Sequence, residues 1–98
     1  MREDFMEFSS SAVHAGSETK HDVLVSLEIT GSHYDIVVKS KVEKKFGQAI
    51  RESVINILNE YHIKGAKVLI NDLGAWDFAI RARTRTAVKR ALKKEVSL

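Results

Sequence analysis

The sequence predicts an α+β fold: a two-layer sandwich in which a four-stranded, mainly antiparallel sheet carries two helices on one face, in the order ββαββα. Three observations lead there. Apolar residues alternate with period two at Val23, Val25, Leu27 and Ile29 and again at Tyr34, Ile36 and Val38, the pattern of half-buried strands. The period then lengthens to three or four at Val42, Phe46, Ile50, Val54, Ile57 and Tyr61, an amphipathic helix of about five turns. A second set of short alternations, Val68 with Ile70 and then Trp76, Phe78, Ile80 and Ala82, precedes a second helical stretch containing Ala87, Val88, Ala91 and Leu92. Two hairpins, each followed by a helix, bury their apolar faces most simply as one sheet under two helices.

Taken in order, residues 1–21 contain Ser9-Ser10-Ser11, small residues and scattered charge with no sustained apolar period. They are expected to form a flexible N-terminal arm outside the core, ahead of a single domain over residues 22–98. Gly31-Ser32 marks a tight turn, so 22–39 is expected to be a hairpin. Ser40-Lys41-Val42-Glu43 has the capping-box form, in which the serine hydroxyl accepts from the amide three residues on and the glutamate reaches back; the helix is expected to start there. Gly65 is expected to provide its left-handed stop. Gly47 inside the helix costs roughly 1 kcal/mol relative to alanine, which a close backbone approach would offset. Asn71-Asp72-Leu73-Gly74 supplies turn chemistry for the second hairpin.

Composition excludes several functional classes. A chain of 98 residues holds one small core and no interdomain cleft. Without cysteine there is no disulfide framework, thiolate metal site or cysteine nucleophile, which suits a reducing compartment. No apolar run approaches the ~18–20 residues that span a bilayer, and Met1-Arg2-Glu3-Asp4 is too acidic to open a signal peptide. A cytoplasmic protein away from membranes is expected. His14, His21, His33 and His62 form no metal-ligand spacing, and no P-loop, GxGxxG or nucleophile-elbow pattern occurs. Asp72 and Asp77 flank a turn, where aspartate more commonly serves the turn than acid–base catalysis.

Charge is distributed unevenly. Residues 1–80 carry nine cations against twelve acids, whereas 81–98 carry seven against one. The run Arg81, Arg83, Arg85, Lys89, Arg90, Lys93 and Lys94 would suit an anionic partner or form a solvated helix face. Nucleic acid is not the expected partner: only 7% of residues are aromatic, and Tyr34, Trp76 and Phe78 follow a core alternation instead of forming a stacking platform. The residues alone therefore indicate a small binding or carrier module without catalytic apparatus.

Three ordered motifs sharpen this. Val42-Glu43-Lys44-Lys45-Phe46-Gly47, Asn71-Asp72-Leu73-Gly74-Ala75-Trp76-Asp77 and Arg81-Ala82-Arg83 resemble the acyl carrier (gamma) subunit of citrate lyase, over about residues 12–92. The resemblance implies a non-catalytic carrier subunit with a covalent 2'-(5''-phosphoribosyl)-3'-dephospho-CoA group, held by a phosphodiester on a serine of the N-terminal arm. It would carry acetyl and citryl thioesters between the alpha (transferase) and beta (lyase) subunits after loading by a prosthetic-group transferase. The VEKxFG and RAR regions would face partners. A thiol tether would supply what a chain without cysteine lacks, and a short flexible link keeps the acyl group at high effective concentration.

The arm departs from the family pattern A-G-[ST]-x-E-S-x-D. Aligned without a gap, Ala15-Gly16-Ser17-Glu18-Thr19-Lys20-His21-Asp22 places Lys20 at the serine position. An amine cannot form that phosphodiester. Attachment is therefore expected on Ser17, a primary hydroxyl following a glycine, with Thr19 as the other available hydroxyl. The alternative is an unmodified carrier-like paralogue that acts as a binding or assembly module, through its basic C-terminal helix.

Overall fold

The computed structural model describes residues 8–40 and 44–96. Six elements follow in the order β1 (Val13–Gly16), β2 (Val23–Thr30), β3 (Tyr34–Ser40), α1 (Lys44–Glu60), β4 (Gly65–Asp72) and α2 (Asp77–Val96). The fold is α+β, with one four-stranded sheet in the order β1-β2-β4-β3. β1 with β2 and β2 with β4 are antiparallel, while β3 and β4 are parallel, so the sheet is mixed. α1 packs on β3, α2 packs on β1 and β2, and the helices pack against each other.

The element order is βββαβα and corrects ββαββα in three places. First, the segment read as arm contains β1, whose Val13 and Ala15 are buried; Val13 pairs with Leu27 and Ala15 with Val25. A two-residue apolar alternation is too short to register as a strand until β2 stands beside it. Second, β2 and β3 are joined by residues 31–33 but do not pair, because β4 lies between them. A parallel β3–β4 pair needs a long crossover, which α1 supplies. Third, the expected strand through Trp76, Phe78, Ile80 and Ala82 is the start of α2, with Ile80, Thr84, Ala87, Val88 and Ala91 on its buried face. Thr84, fully buried, donates its hydroxyl to the Ile80 carbonyl at 2.7 Å, so a polar residue sits in that face without an unpaired group.

One face of the sheet forms the core. Val23, Val25 and Leu27 lie across from Asp72, Ile70 and Val68, which in turn neighbour Ser40, Val38 and Ile36. Ile50, Val54, Ile57 and Leu58 of α1 and the α2 face close over them. Each fully buried aliphatic side chain of this kind contributes about 1.5–3 kcal/mol. On the opposite face His14 Nδ1 and Ser26 Oγ, cross-strand neighbours, share a 2.9 Å hydrogen bond.

The ends of α1 are also informative. Ser40 belongs to β3 and donates to Asp72 Oδ2 at 3.0 Å; the remainder of the expected capping box, residues 41–43, lies outside the described residues. At the other end the left-handed residue is His62 (φ 59°), not Gly65. The Ile63 amide donates to Leu58 and the His62 amide to Asn59, a Schellman closure with Ile63 tucked into the core. Gly65 has a different duty. A Cβ there would stand 2.7 Å from the Ser32 amide nitrogen and 2.8 Å from that of His33, because β4 enters directly against the β2–β3 connection. At Gly47, by contrast, a Cβ would meet nothing within 4 Å, so no close approach offsets its helix cost.

These glycines give opposite expectations. Gly47→Ala should raise stability by about 0.5–1 kcal/mol, the helix-propensity difference. Gly65→Ala should lower it by about 1–3 kcal/mol, the usual range for forcing atoms into filled space. Urea unfolding of the two variants against the parent chain measures both; a destabilised Gly47→Ala or a neutral Gly65→Ala would contradict this packing.

Candidate functional site

The β1–β2 loop, residues 17–22, is held at one end of the sheet by its backbone. Ser17 N–H donates to the Val23 carbonyl at 3.1 Å and Asp22 N–H to the Thr19 carbonyl at 3.0 Å. His21 N–H donates to the Leu73 carbonyl (2.8 Å) and Leu73 N–H to the Asp22 carbonyl (3.0 Å), which ties the loop to the turn leaving β4. Asn71 Nδ2 adds a 2.6 Å bond to Glu18 Oε2. Gly16 makes the loop's entry possible: at φ +96°, a Cβ would stand 1.9 Å from the Val23 carbonyl oxygen.

Within the loop the hydroxyls and charges form a chain. Ser17 Oγ donates to Asp22 Oδ2 at 2.7 Å, and Thr19 Oγ1 lies 2.7 Å from Ser17 Oγ, so with the serine proton committed to the carboxylate the threonine is the donor of that pair. Arg83 of α2 reaches across to fork the same carboxylate, Nη2 to Oδ2 at 3.0 Å and Nε to Oδ1 at 3.3 Å. The Ser17 hydroxyl, then the Val23 amide and the Arg83 guanidinium, hold the Asp22 carboxyl below its ordinary range. Ser17 is half-buried, while Glu18, Thr19, Lys20 and His21 are exposed. Lys20 thus sits in the loop that was expected to carry the attachment, with Ser17 and Thr19 brought together beside it.

The cation run is largely spent inside the molecule. Arg81 pairs with Asp77 (2.8 Å), Arg83 with Asp22, and Arg85 with Glu60 (3.2 Å). Arg90 donates to the His14 carbonyl and Lys94 to that of Ser10, both at 2.6 Å, which straps the N-terminal segment to α2. Lys89 and Lys93 are exposed. Asp72 and Asp77 likewise have structural work. Buried Asp72 accepts from Ser40 and from the Gly74 and Ala75 amides, while Asp77 accepts from Ser53 Oγ at 2.5 Å and links the helices. The Ser53 hydroxyl, and then Arg81, lower the Asp77 carboxyl.

The aromatic expectation needs correction. Trp76 and Phe78 are 73% and 72% exposed, and Phe46 is 49% exposed. Trp76 and Phe78 follow no core alternation because α2 begins among them, and Phe46, expected in the apolar stripe of α1, stands exposed at the start of that helix. Phe46, Ala49, Ile50, Ala75, Trp76 and Ile80 line an apolar groove of about 280 Å³ between the starts of α1 and α2, beside the turn that anchors the 17–22 loop. The exposure of these rings was hidden in the sequence, since period two and period 3.6 coincide over a few residues. Among the described residues no group of three or more His, Asp or Glu could hold a metal ion.

A hairpin loop that presents two hydroxyls and is clamped by a helix cation suits a carrier or binding role. Residues 10–91 match the family described as ACP, malonate decarboxylase delta subunit (MdcD). Among curated relatives, the citrate lyase acyl carrier protein of Serratia proteamaculans is 38% identical over 78 residues, covering 79% of this chain and 76% of the relative. That of Edwardsiella ictaluri is 38% identical over 88 residues, 88% of each chain, and that of Weissella paramesenteroides 40% identical over 87 residues, 89% of each. The chain belongs to this acyl carrier protein family.

The Asp22 clamp predicts an acid-dependent difference. Because folding lowers this carboxyl's pKa, its stabilisation is complete above the unfolded value of about 3.9 and is lost as pH falls through the lower folded value. The melting-temperature difference between the parent chain and Asp22→Asn should therefore be largest above about pH 5 and shrink steadily towards pH 2. A difference independent of pH over that range would show that the carboxylate is not the clamp.

Proposed function

We propose that this chain is the acyl carrier subunit of a citrate-lyase-type complex, with a 2'-(5''-phosphoribosyl)-3'-dephospho-CoA group carried on Ser17. The observation behind this reading is the 35–40% identity to citrate lyase acyl carrier proteins over most of the chain. The loop chemistry fits such a group: Ser17 offers a hydroxyl, and Arg83 a guanidinium suited to phosphate oxygens. When attached, the group supplies a terminal thiol, the function this cysteine-free chain lacks. The chain's own task is to hold the linkage on a pinned loop at one end of the sheet. Alpha and beta subunits and a prosthetic-group transferase are the proposed partners, and the cytoplasm the proposed compartment. No helix among the described residues is long and apolar enough to cross a membrane.

Partner contact is proposed at the groove rim, where Phe46 of the VEKxFG segment and Trp76 stand exposed. Arg81 and Arg83 of the RAR segment are instead engaged with Asp77 and Asp22. The alternative, a module acting through its basic helix, is less well supported because five of the seven cations bond inside the chain.

Intact mass with peptide mapping, after co-expression with the cognate transferase, tests the attachment. An increment matching the group on Ser17 is expected; an unmodified chain, in a host whose ordinary carrier is modified, would leave the assembly-module reading. Trp76→Ala should change stability by no more than about 0.5 kcal/mol, as for surface sites, yet weaken binding to the alpha and beta subunits. Unchanged binding in a pull-down titration would remove the groove from the interface.

A further inference from the structure

Two hydroxyls lie side by side in the 17–22 loop, but only one faces a base. Thr19 Oγ1 donates to Ser17 Oγ, whereas Ser17 Oγ donates to Asp22 Oδ2. The carboxylate is in turn gripped by Nε and Nη2 of Arg83, which fixes its orientation. That grip uses two of the five guanidinium N–H groups. The others stay available on a side chain that is 45% exposed. The approach depends on Gly16, since a Cβ there would lie 3.3 Å from Arg83 Cδ as well as against the Val23 carbonyl.

Resting on the proposed attachment of a phosphate-linked group, we propose that Asp22 and Arg83 make Ser17 a self-equipped phosphoryl acceptor, selected over Thr19. Asp22 receives the hydroxyl proton, and Arg83 pairs with oxygens of the incoming phosphoryl group. The donor is a phosphoanhydride-activated phosphoribosyl nucleotide. Ser17 Oγ forms a bond to phosphorus as the phosphoanhydride P–O bond breaks, and pyrophosphate leaves with that bond's electron pair. The serine proton passes to Asp22 and on to solvent. Asp22, aimed at the hydroxyl and held by Arg83, takes the serine proton as the new P–O bond forms, in the role of a positioned general base. The carrier would thus bring part of the acceptor chemistry to the transferase instead of serving as a passive hydroxyl. Lys20, in the same exposed loop, adds positive charge near the incoming anion.

The test is modification of the full chain by its transferase, in single turnover at saturating donor and in steady state over a range of donor and carrier concentrations, followed by intact mass and peptide mapping. Ser17→Ala should abolish labelling, and Thr19→Ala should still be labelled on Ser17. Asp22→Asn should slow the chemical step roughly 100-fold, the scale of a positioned general base, with the transferase's KM for the carrier unchanged. Asp22→Glu, which restores a carboxylate, should recover most of the loss and guards against a simple folding defect, as do thermal melts of every variant. Arg83→Gln should raise the KM for the donor, a shift that a purely structural clamp would not produce. Labelling of Ser17→Ala on Thr19 or elsewhere would overturn the assignment while keeping the acyl carrier reading. So would parent-like rates for Asp22→Asn together with an unchanged donor KM for Arg83→Gln. A parent chain that is never labelled would remove that reading, and this inference with it.

Discussion

The fold depends on β4 lying between β2 and β3. This strand is hydrogen-bonded on both edges, antiparallel to β2 and parallel to β3, and its Ala66, Val68 and Ile70 are fully buried. Parallel pairing with the strand that precedes α1 obliges the chain to cross the sheet, and α1 is that crossing. The insertion separates β2 from β3 and drives the backbone at Gly65 onto the amides of Ser32 and His33. At its far end β4 releases the 73–75 turn, against which the 17–22 loop is hydrogen-bonded and after which α2 begins. The position of the candidate loop therefore follows from the position of β4.

α2 completes that arrangement by turning its charge inward. A helix carrying seven cations in fourteen residues invites an anionic partner, and the chain itself supplies most of the acceptors: Asp77, Asp22, Glu60 and two carbonyls of the N-terminal segment. Pairs this exposed are individually weak. Their consequence is geometric, because they fasten β1 and the 17–22 loop to a helix whose other face is in the core. A loop that is anchored at both ends and exposed between them presents its side chains at a defined place.

Part of the candidate loop was legible in the sequence. The arm motif singled out Ser17, Thr19, Lys20 and Asp22, and the charge count singled out α2, but nothing in the chain order joined Asp22 to Arg83, sixty-one positions apart. The groove was not legible at all. Trp76 and Phe78 alternate with Asp77 and Ala79 as strand residues would, and only the helical register of Ile80, Thr84, Ala87 and Val88 shows that they project away from the core. Thr84 conceals that register, because it places a hydroxyl on the helix's buried face.

By itself the sequence determined the period-two strands β2 and β3, the apolar pair Val68 and Ile70 of β4 and the helical period of α1, and hence an α+β fold with two helices, because side-chain periodicity is a local property of the backbone. Tertiary structure alone decided the strand order, the recruitment of Val13 and Ala15 into the sheet, the left-handed cap at His62 and the Asp22–Arg83 clamp. Periodicity reports that a face is covered and is silent about what covers it; the partner is chosen by the global arrangement that buries every such face at once.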